Sequence, residues 1–123
     1  MIDYTQVPIV QITYQLTLNI QRLVLKFPKH LRFQLGDRLA GQTQDFLEGV
    51  IRANLTRDPM LRSTSLNHLA NDLVTIRITL RLIKDLKAIS IGQFSEINLC
   101  LEDIQKQLTG WTKWTQTQQS ANS

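Results

Sequence analysis

The chain has one cysteine, Cys100, in 123 residues, so no disulfide can close within it. A lone thiol fits a reducing compartment, and a cytoplasmic setting is the expectation. Prolines number three and glycines five. That leaves few turns and favours long elements. Aromatics make up 7% of the residues, too few for the broad stacking surface of a usual single-strand binder. Uninterrupted apolar runs are also missing. The longest apolar segment, Val7 to Phe27, is broken by Gln11, Thr13, Gln15, Asn19, Gln21 and Arg22. It cannot span a bilayer, and no membrane partner is expected. No basic stretch leads into an apolar core near Met1, so Asn54-Leu55-Thr56 is read as a chance sequon.

Chemistry-bearing clusters are scarce too. His30 and His68 have no cysteine or histidine at a metal spacing around them. Cys100 sits in "INLCL", where a packed thiol is the better reading than a nucleophile. Asp45 with Glu48, and Glu102 with Asp103, fit solvated helix faces in the absence of a partner base. "GVIRANLT" lacks the glycine-lysine pairing of a phosphate loop. The expectation is a protein that is not an enzyme, with no cofactor and no metal.

What is present is helical periodicity. With 42% apolar and 20% charged residues the composition is globular. Ile12, Tyr14, Leu16, Leu18 and Ile20 alternate as in a strand, while Ile9, Ile12, Leu16, Ile20, Leu23 and Phe27 step as on a helix. No breaker separates Pro8 from Pro28, and strands rarely run that long, so the spacing predicts a helix from Val7 to Lys26. A second is predicted from Lys29 to Leu55, with Leu31, Leu35, Leu39, Phe46, Val50 and Ala53 on its apolar face. Gly36, Gly41 and Gly49 interrupt it and suit a close helix neighbour.

"TRDPMLRSTS" reads as a loop, with Ser63 or Ser65 capping a third helix from Ser65 to Ile89. Leu66, Leu69, Leu73, Ile76, Leu80 and Ile83 form its core row. Val74, Ile78, Leu82, Leu86 and Ile89 form a second apolar row on the other side. A helix apolar on two sides is central or lies between subunits. Ile78, Leu82 and Leu86 are therefore candidate contacts between copies. Gly92 is expected to take positive φ in the last turn, ahead of a fourth helix from Phe94 to Trp114. The prediction is a single all-α domain over 1–114, an antiparallel up-and-down four-helix bundle that oligomerises. The polar 115–123 tail is expected to fray.

Fourteen lysines and arginines against ten acids give a net charge of +4 and a pI near 9.6. Arg77, Arg81 and Lys84 form a stripe on the third helix, with Lys87 one turn on. A second group, Lys26, Lys29, His30 and Arg32, surrounds Pro28. Two basic groups on a small bundle could form a phosphate-binding field. Their bland alternative is a solvated face whose long stems cover apolar surface. Trp111 and Trp114 share a helix face with Leu108 and are expected to close one end of the bundle.

In order and at corresponding points of this layout stand "KFPKHLRFQLGDRL", "LRLIKDL" and "LTGWTKW". Together they resemble the accessory variability determinant proteins of diversity-generating retroelements. Those belong with the small four-helix-bundle proteins encoded in ribosomal RNA intervening sequences. The similarity runs from about Pro8 to Trp114. It implies a non-enzymatic, basic, barrel-like homopentamer that partners a reverse transcriptase and binds nucleic acid, RNA or DNA. It supports mutagenic copying of a template RNA into a variable gene. Carried onto this chain, the resemblance marks Lys26, Phe27 and Pro28, then Arg32 and Arg38, then Arg81, Lys84 and Asp85, then Gly110 and Trp111. The chain departs in having only Lys113 as a charge near Trp114 and a modest net charge. The intervening-sequence branch, with an RNA-related role and no polymerase, is the alternative.

Overall fold

Pro8 sits in the first turn of helix α1 (Pro8–Val24), where its missing N–H is no loss. The computed structural model describes residues 7–122. In α1 the residues Ile9, Val10, Thr13, Leu16, Thr17, Ile20 and Val24 are buried while Tyr14 is exposed, so the three-and-four step outweighs the alternation. The helix closes two residues before the predicted Lys26. The Lys26 and Phe27 N–H groups instead bond to Leu23 and Val24 carbonyls at 3.0 and 3.1 Å, which tightens the last turn. Phe27 is buried, and Pro28 turns the chain in extended geometry.

Helix α2 begins at once, as the second predicted helix does, and has three contiguous pieces. Lys29–Leu31 is α-helical, Arg32–Gly36 is a π-helical turn, and Asp37–Leu55 is α-helical again. Gly36 is buried where α2 leaves α1. A Cβ there would lie 2.7 Å from Val24 Cγ1 and 3.1 Å from the Phe27 ring. Further along, a Cβ on Gly49 would lie 2.7 Å from Leu69 Cδ2, so this glycine lets α2 and α3 approach.

Helix α3 (Pro59–Asp85) starts earlier than the predicted Ser65. The Asp58 carboxylate accepts the Met60 N–H at 2.9 Å and Pro59 follows in the first turn. The Asp-Pro pair is thus a helix start, not only a loop mark. Ser65 is not a cap; its hydroxyl donates back to the Leu61 carbonyl at 3.2 Å. The helix ends with the Lys87 and Ala88 N–H groups on the Lys84 and Ile83 carbonyls, at 2.9 and 3.1 Å, a Schellman closure. Its left-handed residue is Lys87, with φ 63°, and not Gly92.

Gly92 instead lies in the first turn of α4 (Ile91–Asn122). Ser90 and Gln93 cap that turn reciprocally, Gln93 N–H to Ser90 Oγ at 3.0 Å and Ser90 N–H to Gln93 Oε1 at 2.9 Å. The fourth helix runs past the predicted end at Trp114 to Asn122; Ser123 lies outside the described residues. Thr115 is fully buried, which ties this extension to the bundle.

Among the described residues four helices form an all-α bundle. α1 packs on α2 and α4, and α3 packs on the same two. The core row of α3 from Leu66 to Ile83 is buried throughout, together with Leu39, Phe46, Val50, Leu101, Ile104 and Leu108. Each such side chain stabilises by about 1.5–3 kcal/mol through burial. Ile89 also joins this core, so it is not part of the outer row. Between α1 and α2 the buried Thr17 hydroxyl reaches the Thr13 carbonyl at 2.8 Å and the Thr43 carbonyl at 3.3 Å.

Candidate nucleic-acid interface

The Pro28 turn puts its charges outside the core because the chain there has just left α1 and only Phe27 turns inward. Lys26 and Lys29 are exposed, Arg32 is half-buried on the π-helical turn, and Arg38 is exposed one turn later. His30 is exposed beside them. Among the described residues these five side chains make no hydrogen bond, ion pair or ring contact. The exposed Lys87, on the loop after α3, makes none either. The π-helical turn packs against α3, so the two elements that carry the basic groups are neighbours.

The stripe on α3 behaves differently. Arg77 is half-buried and donates from Nη1 to Asn98 Oδ1 of α4 at 3.2 Å. Lys84 places Nζ 4.8 Å from the centre of the Phe94 ring, also on α4. Arg81 pairs with Asp85 one turn on, at 3.2 Å, on an exposed face. These three cations are occupied within the chain, two of them along the α3–α4 seam. Of the eight basic residues singled out in the sequence, five therefore offer unoccupied charge and three do not.

The outer row divides as cleanly. Val74, Ile78, Leu82 and Leu86 are each about half exposed, and among the described residues no helix covers them.

One functional-looking residue escaped the sequence. Arg62 is only 7% exposed. It donates from Nε to the Thr115 hydroxyl at 3.0 Å, from Nη1 to the Thr56 carbonyl at 3.2 Å, and from Nη2 to Gln118 Oε1. Its guanidinium lies 4.9 Å from the centre of the Trp114 ring. Trp111 packs half-buried against the core, whereas Trp114 is 53% exposed, so of the two tryptophans only Trp111 joins the packing at this end. The available signal was position: Arg62 falls four residues before the buried Leu66 and seven before the buried Leu69, in phase with the core row.

Cys100 is half-buried, and its thiol is pushed above the ordinary range by burial first and by the nearby Asp103 charge second. A groove of about 490 Å³ between α2 and α3 is lined by Asp45, Arg52, Ser65, His68 and Asp72. Ser65 and His68 share it without meeting, since the Ser65 hydroxyl is turned to Leu61. Among the described residues no three histidines, cysteines or acids gather as metal ligands, and no helix is long and apolar enough to cross a membrane.

No family model, curated protein or solved structure matches this chain.

Proposed function

We propose that the chain is a non-enzymatic nucleic-acid-binding adaptor that works as an oligomer. The observation that carries this is the set of unoccupied cations at the Pro28 turn, Lys26, Lys29, Arg32 and Arg38. A cation without an internal partner breaks no contact within the chain to meet a phosphate, and each such contact releases counterions.

An antiparallel, up-and-down arrangement is the topology we infer. It is supported by pairings that run in opposite senses along neighbouring helices. Thr17 meets Thr43 while Gln21 meets Ala40, and Arg62 meets Thr115 while Arg77 meets Asn98. In that arrangement the Pro28 turn and the Lys87 turn share one end, and Lys87 joins the cluster. Self-association is supported by the uncovered row Val74, Ile78, Leu82 and Leu86. Five copies, a reverse transcriptase partner and a role in a diversity-generating retroelement rest on the three resembling motifs alone.

The test is binding of RNA and DNA by the parent and by a Lys26→Gln, Lys29→Gln, Arg32→Gln triple variant. The variant should bind more weakly, with the salt slope shallower by about 0.7–0.9 per lost phosphate contact. A parent that binds neither RNA nor DNA at physiological salt removes the proposal. A reverse transcriptase gene beside this one, with paired template and variable repeats, is what the retroelement role requires.

A further inference from the structure

The chain has four phenylalanines, and three of them have work inside the bundle. Phe27 and Phe46 are buried, and Phe94 lies under the Lys84 ammonium. Phe33 is different: it is 61% exposed and makes no ring contact among the described residues. A single exposed apolar residue is ordinary. The surroundings of this one are not. It stands on the π-helical turn Arg32–Gly36, and such turns are frequent at functional sites. Lys29 precedes it by one helical turn, Arg32 adjoins it, and Arg38 follows at the wider spacing of a π turn. All three are cations without an internal partner. Asp37, exposed and four residues after Phe33, is the acid nearest them in sequence.

We propose that Phe33 is a stacking platform for one unpaired nucleobase, with Lys29, Arg32 and Arg38 taking the flanking phosphates. The ligand of this end is then single-stranded nucleic acid. The inference rests on the nucleic-acid role proposed above for the same end, and it specifies the strand state. The interior bases of a duplex are stacked on both faces and only its two end pairs offer a free one, so an exposed ring surrounded by cations gains little from a duplex. An unpaired base gives that ring a flat partner, whatever its sequence. One ring serves one base, which is consistent with a chain poor in aromatics.

The experiment measures anisotropy of a fluorescein-labelled oligouridylate, an oligothymidylate of equal length, and a blunt duplex. Parent, Phe33→Ala, Phe33→Leu and Phe33→Tyr are compared, each sedimented in the same preparation. The Ala and Leu variants should bind both single strands about 5- to 100-fold more weakly, while Tyr retains affinity. Their salt slope should equal the parent's, because no phosphate contact is lost. Duplex affinity should not move. If Phe33→Ala matches the parent on single strands while Lys29→Gln weakens them, the platform is overturned and the nucleic-acid role stands. If Leu retains full affinity, the contact is apolar bulk and stacking is overturned. A variant that loses binding together with mass in sedimentation assigns Phe33 to a contact between copies, which also overturns the platform. A parent that binds no strand overturns both proposals.

Discussion

Arg62 donates its Nε–H to the Thr115 hydroxyl at 3.0 Å, joining the first turn of α3 to the last turns of α4. The same guanidinium holds the Thr56 carbonyl after α2 and the Gln118 amide. Its partners are neutral dipoles and the Trp114 ring, with no carboxylate among them. A buried cation is tolerable in this form because its hydrogen bonds are charge-assisted and the planar fork reaches several acceptors at once.

Arg62→Ala should therefore destabilise the bundle by about 2–4 kcal/mol, from lost charge-assisted bonds and buried acceptors left open. Arg62→Lys should recover little, since one ammonium cannot span acceptors on three segments. Hydrogen exchange should rise first over 115–122, which Arg62 pins. Equal protection of that segment in the parent and Arg62→Ala would show that α4 holds its own end.

Those two residues also show what a sequence hides. Four long helices were legible because Leu66 to Ile83, and Leu101, Ile104 and Leu108, keep strict helical steps that burial then obeys. The polar end of α4 was not legible. Its one deep anchor is a threonine, and the partner lies 53 positions away. Asp58-Pro59 and Ser90 with Gln93 stand in the sequence as helix-start pairs, but Pro59 and the neighbouring Gly92 signal a turn equally well. The basic residues were legible as groups. Which of them are occupied was not, because Asn98 and Phe94 become neighbours of Arg77 and Lys84 only when α4 packs on α3.

The glycines of α2 should separate by what surrounds them. Gly36→Ala meets the branched Val24 and the Phe27 ring and should destabilise by about 1–3 kcal/mol. Gly41→Ala meets nothing within 4 Å and should stabilise by about 1 kcal/mol through helix propensity. Gly49→Ala meets the flexible end of Leu69 and should fall between them. Thermal unfolding of the three variants gives the order; a Gly36→Ala protein as stable as the parent would contradict the close approach of α1 and α2.

Lys87 closes α3 in the left-handed region, with φ 63°. For a residue with a Cβ that conformation costs about 1–2 kcal/mol, and glycine is spared it. Lys87→Gly should raise stability by about 1 kcal/mol in denaturant titration. It also removes an unoccupied cation, so nucleic-acid affinity should fall as stability rises. Both quantities moving down together would mean that the turn is held by the lysine side chain.

The two apolar rows of α3 should respond in opposite ways. Ile76→Ala or Leu80→Ala opens the core and should destabilise by about 2–5 kcal/mol. Ile78→Ser with Leu82→Ser alters only the outer row, and should lower the sedimenting mass while the thermal midpoint of the dissociated chain barely moves. A parent that sediments as one copy at micromolar concentration would dispose of the interface.

The last prediction separates the two basic groups. Arg77→Gln, Arg81→Gln and Lys84→Gln together remove one hydrogen bond to Asn98, one exposed ion pair with Asp85 and one ring contact with Phe94. Helix propensity is nearly level across these residues, so the loss should come from the contacts, about 1–3 kcal/mol in all. Nucleic-acid affinity should fall less than in the Lys26, Lys29 and Arg32 triple, because each stripe cation must leave its partner before it can meet a phosphate. Salt titrations of both triples, run at a temperature where both are folded, give the comparison. A steeper loss for the stripe would make the α3–α4 seam the contact surface and leave the Pro28 cluster as a solvated end. Affinities equal to the parent's for both triples would remove all six cations from the binding surface.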